Sequence, residues 1–246
     1  MSEFYAQTCR RFFFGGRSST EFGIIASGVH TYNAPERDLE RISIPGRNGD
    51  LFRDNGRLKN IPIGYPVAIL GDFARNAAAA KAWLLSDGTY KRLSDGYHPD
   101  TFRLAVFTGP IDFDVRLLNR IGETTLRFDC KPQRFLVSGE TPVAFEGAST
   151  LENPGFEALP LITVYGSGDG TVTVGDTTVK IFGMEDQIVL DCDLQNAYRE
   201  SDAGITEDMN GYIYAPVFPT LLPGSNAIGF TGGVERIEIT PRWWTV

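Results

Sequence analysis

The chain has 246 residues and a mass of 27.1 kDa, enough for one or two domains with a substantial core. Apolar residues make up 42% and charged residues 22%, with no apolar run long enough to span a bilayer, so neither disorder nor a membrane helix is expected. The net charge of −8 argues against general phosphate-backbone binding, and it is uneven: residues 1–140 carry 19 basic and 16 acidic side chains (+3), residues 141–246 carry 4 and 15 (−11).

Twenty-seven glycines and 14 prolines imply many tight turns and therefore many short strands. Arg10-Arg11-Phe12-Phe13-Phe14 has the look of a twin-arginine export signal, but Gly15-Gly16-Arg17-Ser18-Ser19 stands where the apolar segment would be, so no targeting segment is expected. Ile44 to Asn60 follows, with two Asn-Gly turn signals and Arg47, Arg53, Arg57 and Lys59 mixed with Asp50 and Asp54. Leu51, Phe52 and Leu58 lie among these charges. A long loop in a compact domain is usually functional or disordered, so a polar hairpin or arm with a role in subunit contact is expected.

Ile61, Ile63, Tyr65, Val67 and Ile69 alternate with small residues and two prolines, the pattern of a strand buried on one face and lying at a sheet edge or irregular. A helix is expected from about Phe73 to Ser86, capped by Asp72, ended by Gly88 and anchored by Trp83 and Leu84. Ile111, Phe113 and Val115, then Leu126, Phe128 and Cys130, alternate on either side of a turn at Asn119 to Glu123 and read as a long hairpin. Ser138 to Pro142 is polar, turn-rich and coincides with the change of charge, which sets a boundary between domains at 1–140 and 141–246. Beyond it come short strand segments: Leu161 to Tyr165, Thr171 to Val174, Thr177 to Ile181, Gln187 to Leu190, Tyr212 to Ala215, Ala227 to Phe230 and Arg236 to Ile239. Gly175-Asp176 supplies a two-residue hairpin, and together these argue a β-sandwich. The fold class is therefore mainly β with one α-helix, a β-rich α+β protein.

Chemical motifs are weak. Gly166 to Gly170 has no following helix to face a phosphate and reads as a flexible β-turn. Cys9, Cys130 and Cys192 are far apart, with no neighbouring histidine to complete a metal set, and read as reduced or buried thiols; no metal or cofactor is expected. His30 and His98 lack a nucleophile motif, and Tyr97-His98-Pro99-Asp100 reads as a turn. Asp112 with Asp114, and Asp191 with Asp193, have the spacing of paired glycosidase carboxylates, but a solvated sheet face gives the same alternation. Tyr212, Tyr214, Trp243 and Trp244 could form an aromatic sugar platform, although aromatic strand residues more often fill a core.

An ordered set of segments resembles the distal tail protein family of siphophages. These are Ile44 to Asn60; Tyr90-Lys91-Arg92-Leu93-Ser94 with Tyr97-His98-Pro99; Phe128 to Phe135; Asn153-Pro154-Gly155 with Pro160 to Gly166; Phe218 to Asn226; and Pro241-Arg242-Trp243-Trp244. The resemblance implies an N-terminal belt domain that closes six copies into a ring, and a C-terminal galectin-like β-sandwich outside it. It further implies a structural virion protein rather than an enzyme. Such a hub links the tail tube protein to the tail-associated lysin or tip protein, can dock a receptor-binding protein, and works at the phage tail tip after assembly in the host cytoplasm. No membrane and no sequence-specific nucleic acid is implied, since the genome only passes the ring channel. Arg47, Asp50, Arg53, Asn55, Arg57 and Lys59 are the candidate subunit-interface residues. The alternative is a galectin-like carbohydrate-binding protein or a glycan hydrolase.

Overall fold

The computed structural model describes residues 10–26, 33–116, 121–200 and 206–246. Cys9, His30 and Asn119 lie outside the described residues. The protein forms two compact units, Met1–Arg134 with Val246, and Phe135–Thr245.

In the first unit the elements are β1 (Phe12–Phe14), β2 (Arg17–Ser18), β3 (Ile24–Ala26), β4 (Arg37–Ile42), β5 (Leu51–Leu58), β6 (Ile61–Ile69), α1 (Phe73–Leu84), β7 (Lys91–Asp95), β8 (Thr101–Phe107), β9 (Asp114–Arg116) and β10 (Ile121–Cys130). An antiparallel sheet runs β2-β1-β7-β8-β10-β6-β3. The alternation in β6 buries Ile61, Tyr65, Val67 and Ile69, and β10 pairs with its whole length. β3 covers only Val67–Ile69, so among the described residues the half bearing Pro62 and Pro66 is an edge, where a missing N–H costs no ladder bond.

Aromatic rings fill the core between this sheet and α1. Trp83 stacks on Phe22 at 4.3 Å and its indole N–H donates to the Phe14 carbonyl at 3.2 Å, so the largest side group of the helix has its polar atom satisfied. Phe12 stacks on Tyr65 at 5.0 Å and meets Phe128 edge-on at 5.7 Å. Asp72 accepts from the Arg75 amide, the expected N-cap. The helix ends at Leu84, before the expected Ser86, because the Asp87 carboxylate takes the Thr89 amide and hydroxyl and turns the backbone early. The expected long hairpin is also corrected. β9 pairs only with Ile121–Glu123, whereas Phe128–Cys130 pairs with Ala105–Phe107 of β8 and Ile111 drops into the core.

The second unit contains β11 (Arg134–Leu136), β12 (Val143–Phe145), β13 (Ser149–Asn153), β14 (Leu161–Val174), β15 (Thr177–Asp191), β16 (Asn196–Glu200), β17 (Thr206–Asp208), β18 (Ile213–Tyr214), β19 (Gly224–Thr240) and β20 (Trp244–Thr245). Its main sheet runs β12-β19-β14-β15-β16-β17, with β13 also on β19 and β18 on β15. Segments expected as separate strands are thus continuous. Gly166 to Gly170 is not a turn but a register break inside β14, lying against a matching break in β19. A Cβ on Gly233 would collide with the Ser167 carbonyl and one on Gly166 with the Gly233 carbonyl, so the two strands cross backbone to backbone where only glycine fits. On either side of the break, Ile162, Val164, Val172 and Val174 point into one core with Val179, Ile188, Ile228 and Ile239.

Candidate functional site

β4 and β5 form a two-stranded sheet that, among the described residues, pairs with no other strand. Every residue from Leu39 to Arg57 is exposed, on both faces. The expected arm is therefore present, but its second strand comes from residues upstream of Ile44. Glu40 lies opposite Arg53, Arg41 opposite Phe52 and Ile42 opposite Leu51. Asn48-Gly49 belongs to the tip between the strands. Asn55-Gly56 does not turn the backbone; it lies in β5 near a register break, where Gly56 adopts φ 73° and donates its amide to the Asp54 carboxylate at 2.8 Å.

Charge on the arm is paired across its own strands. Arg37 reaches Asp54 at 2.8 Å, Arg57 reaches Asp38 at 2.7 Å, Arg41 reaches Asp50 at 3.5 Å, Arg53 reaches Glu40 at 3.7 Å and Lys59 reaches Glu36 at 3.8 Å. The Arg57 hydrogen bond, aided by the Asn55 amide group, holds the Asp38 carboxyl below its ordinary value. Of the six candidate contact residues, Asp50, Arg53, Asn55, Arg57 and Lys59 thus have partners within the arm. Arg47, at the tip, has no acidic partner among the described residues. Sequence reading missed Glu36, Asp38 and Glu40, although the charge alternation from Glu36 to Arg41 signals them.

Such pairs on an exposed surface contribute little each. The arm also exposes apolar side chains: Leu39, Ile42, Ile44, Leu51 and Phe52, the last to 54% although the Arg41 guanidinium lies over its ring at 5.4 Å. A lone two-stranded hairpin has no core of its own to bury them.

Residues from three separate motifs meet at the root of the arm. Asn60 donates its amide to the Tyr90 hydroxyl at 2.7 Å and to Asp129 at 3.1 Å, and Lys131 lies over the Tyr90 ring at 5.2 Å. Nearby, the Tyr65 hydroxyl donates to Asp95 at 2.7 Å, and Asp95 also accepts the Tyr97 and His98 amides, which makes Tyr97 to Asp100 the expected turn. Arg103, almost fully buried, donates to the Pro132 carbonyl at 2.8 Å.

The motifs of the second unit also fasten loops. Asn153 donates to the Phe156 and Leu221 carbonyls, and a Cβ on Gly155 would strike the Trp244 carbonyl. Asn226 donates to the carbonyls of Leu151, Leu222 and Gly224 and accepts the Leu222 amide, so this one buried residue closes the loop before β19.

The catalytic alternatives fare differently. Burial would raise the Asp191 carboxyl, but two bonds from Arg242 at 2.8 and 3.0 Å and the Leu194 and Asp193 amides outweigh it and hold it below its ordinary value, the wrong direction for a general acid. Asp112 is exposed. Burial lifts the Cys130 and Cys192 thiols to about 12, so both are inert buried thiols. Among the described residues no cluster of three metal-ligating groups occurs. Trp243 is buried and Trp244 stacks on Phe156 at 4.8 Å, whereas Tyr212 and Tyr214 are exposed, so the four aromatics do not share one environment.

No family model matches the sequence, and no characterised protein matches it by sequence. Among solved structures it is similar to the Dit protein of phage SPP1, described as a paradigm of the hub adsorption apparatus in phages infecting Gram-positive hosts. The match has a TM-score of 0.71 at 13% identity, over 93% of this protein and 97% of that one. A phage P2 baseplate structure is also similar, with a TM-score of 0.48 at 8% identity. The protein has the fold of a phage Dit hub protein.

Proposed function

We propose that this protein is a structural, non-enzymatic hub of a siphophage tail tip. Six copies close into a ring through the first unit, residues 1–140 acting as a belt, while residues 141–246 form a galectin-like domain on the outside. The observation that carries the reading is the arm, an exposed hairpin whose apolar side chains stay exposed among the described residues, on a protein with the Dit fold. A ring needs a heterologous contact, one patch meeting a different patch on the next copy until the rotation closes. The arm with Arg47, Asp50, Arg53, Asn55, Arg57 and Lys59 is one such patch. The ring joins the tail tube protein to the tail-associated lysin or tip protein and docks receptor-binding proteins in the virion, after assembly in the host cytoplasm.

Mass photometry of the purified protein tests this. Six copies of 27.1 kDa give a particle of about 160 kDa. Replacing residues 39–57 with a short Gly-Ser turn should leave the monomer folded and abolish that particle; a hexamer that survives the replacement would refute the role of the arm. The exposure of Tyr212 and Tyr214 supports a second reading, in which the galectin-like domain binds a glycan. Glycan-array binding that is lost on Tyr214→Ala would favour it.

A further inference from the structure

The sequence contains three Asn-Gly pairs, Asn48-Gly49, Asn55-Gly56 and Asn210-Gly211, and the structure places them in different chemical situations. In an Asn-Gly pair the glycine amide nitrogen, once deprotonated, can attack the carboxamide carbon of the asparagine. A bond forms between that nitrogen and that carbon, the bond from the carbon to the asparagine's own amide nitrogen breaks, and the latter nitrogen leaves as ammonia, giving a cyclic imide. Water then opens the ring at either carbonyl, yielding aspartate or isoaspartate, so that asparagine plus water becomes a carboxylate-bearing residue plus ammonia. No oxidant or reductant is involved. The reaction needs a glycine amide free of a hydrogen bond and a carboxamide free to rotate onto it.

Asn210 fails the second condition. Its amide nitrogen donates to Asn196 at 2.6 Å and Asp208 at 2.7 Å, and its oxygen accepts the Ala197 amide at 3.0 Å, so the carboxamide is fixed. At Asn55 the attacking nitrogen is occupied, since the Gly56 amide donates to the Asp54 carboxylate at 2.8 Å, and the Asn55 carboxamide is engaged with Asp38. Asn48 and Gly49 are both exposed, neither has a hydrogen-bond partner among the described residues, and nothing lies within 4 Å of where a Cβ on Gly49 would be. We propose that Asn48, at the tip of the arm, is a site of spontaneous deamidation, and that the other two Asn-Gly pairs are protected by the fold. The new carboxylate arises beside Arg47, the arm's one cation without an acidic partner among the described residues, so the modification takes the tip, residues 43–50, from net 0 to −1. The site does not depend on the ring reading; only its consequence for assembly does.

Peptide mapping of the intact protein after incubation in mildly alkaline buffer separates the three sites, because trypsin cuts after Arg47, Arg53, Arg57, Arg199 and Arg236. Asn48 should convert at least about tenfold faster than Asn55, the factor expected from one hydrogen bond to a carboxylate that must first break. Gly49→Ala should slow conversion at Asn48. Asp54→Ala, which frees the Gly56 amide, should speed conversion at Asn55. Equal rates at Asn48 and Asn55 in the native protein, or faster conversion at Asn210 than at Asn48, would overturn the proposal.

Discussion

Gly233 and Gly166 show how little room a single residue can have. Where β14 and β19 cross, each glycine faces the other strand's carbonyl, and a methyl group on either meets backbone that cannot rotate away. Gly233→Ala should therefore destabilise the second unit by about 3 kcal/mol, at the upper end of overpacking costs, read as a lowered denaturant midpoint. Asp191 and Arg242 constrain the same unit through charge. The folded-state pKa of Asp191 lies below its unfolded value, so the pair stabilises fully above the unfolded carboxylate pKa, about 4, and loses that contribution as pH falls through the folded value. Asp191→Asn should cost about 2 kcal/mol near neutrality, less than the ~3–5 for a fully buried pair, because Arg242 remains 31% exposed. Melting curves of mutant and native protein should converge in acid; a constant offset at every pH would mean that packing, not charge, sets the effect.

At the scale of elements, legibility follows locality. β6 and α1 are readable because alternation, caps and alanine content act within a few residues. The Ile44 to Asn60 arm is readable as an arm but not with its true strand pairing, since its partner strand, Arg37–Ile42, is polar on both faces and bears no burial signal. The long strands β14, β15 and β19 are cut into pieces by their glycines, because a glycine that ends a strand and one that lets two strands touch look alike in sequence. Asn60, Tyr90, Asp129 and Lys131 belong to separate motifs, and nothing local reveals that they converge. The cross-strand pairs also change what the arm's arginines are expected to do. Arg53→Glu with Arg57→Glu sets like charges opposite Glu40 and Asp38, so it should loosen the arm itself and weaken ring assembly in light scattering. Arg47→Glu, which breaks no pair within the arm, should leave its fold intact.

Over the whole molecule, the charge of −8 resolves into a first region near neutrality and a second at −11. In the ring proposed above, with the second region outside, that asymmetry would set an acidic exterior against subunit joints of mixed sign, an exterior suited to partners with basic surfaces. The arm adds one more consequence. Except at Arg47 its ions satisfy one another, so what the rest of the arm offers a neighbour is chiefly hydrocarbon, and hydrocarbon contacts weaken on cooling and resist salt. Assembly built on it should be cold-labile: rings that persist in molar salt at room temperature should dissociate on ice and re-form on warming. Mass photometry across both series would show it, and rings that instead fall apart in salt while surviving the cold would mean that the charges, not Phe52 and its apolar neighbours, join the subunits.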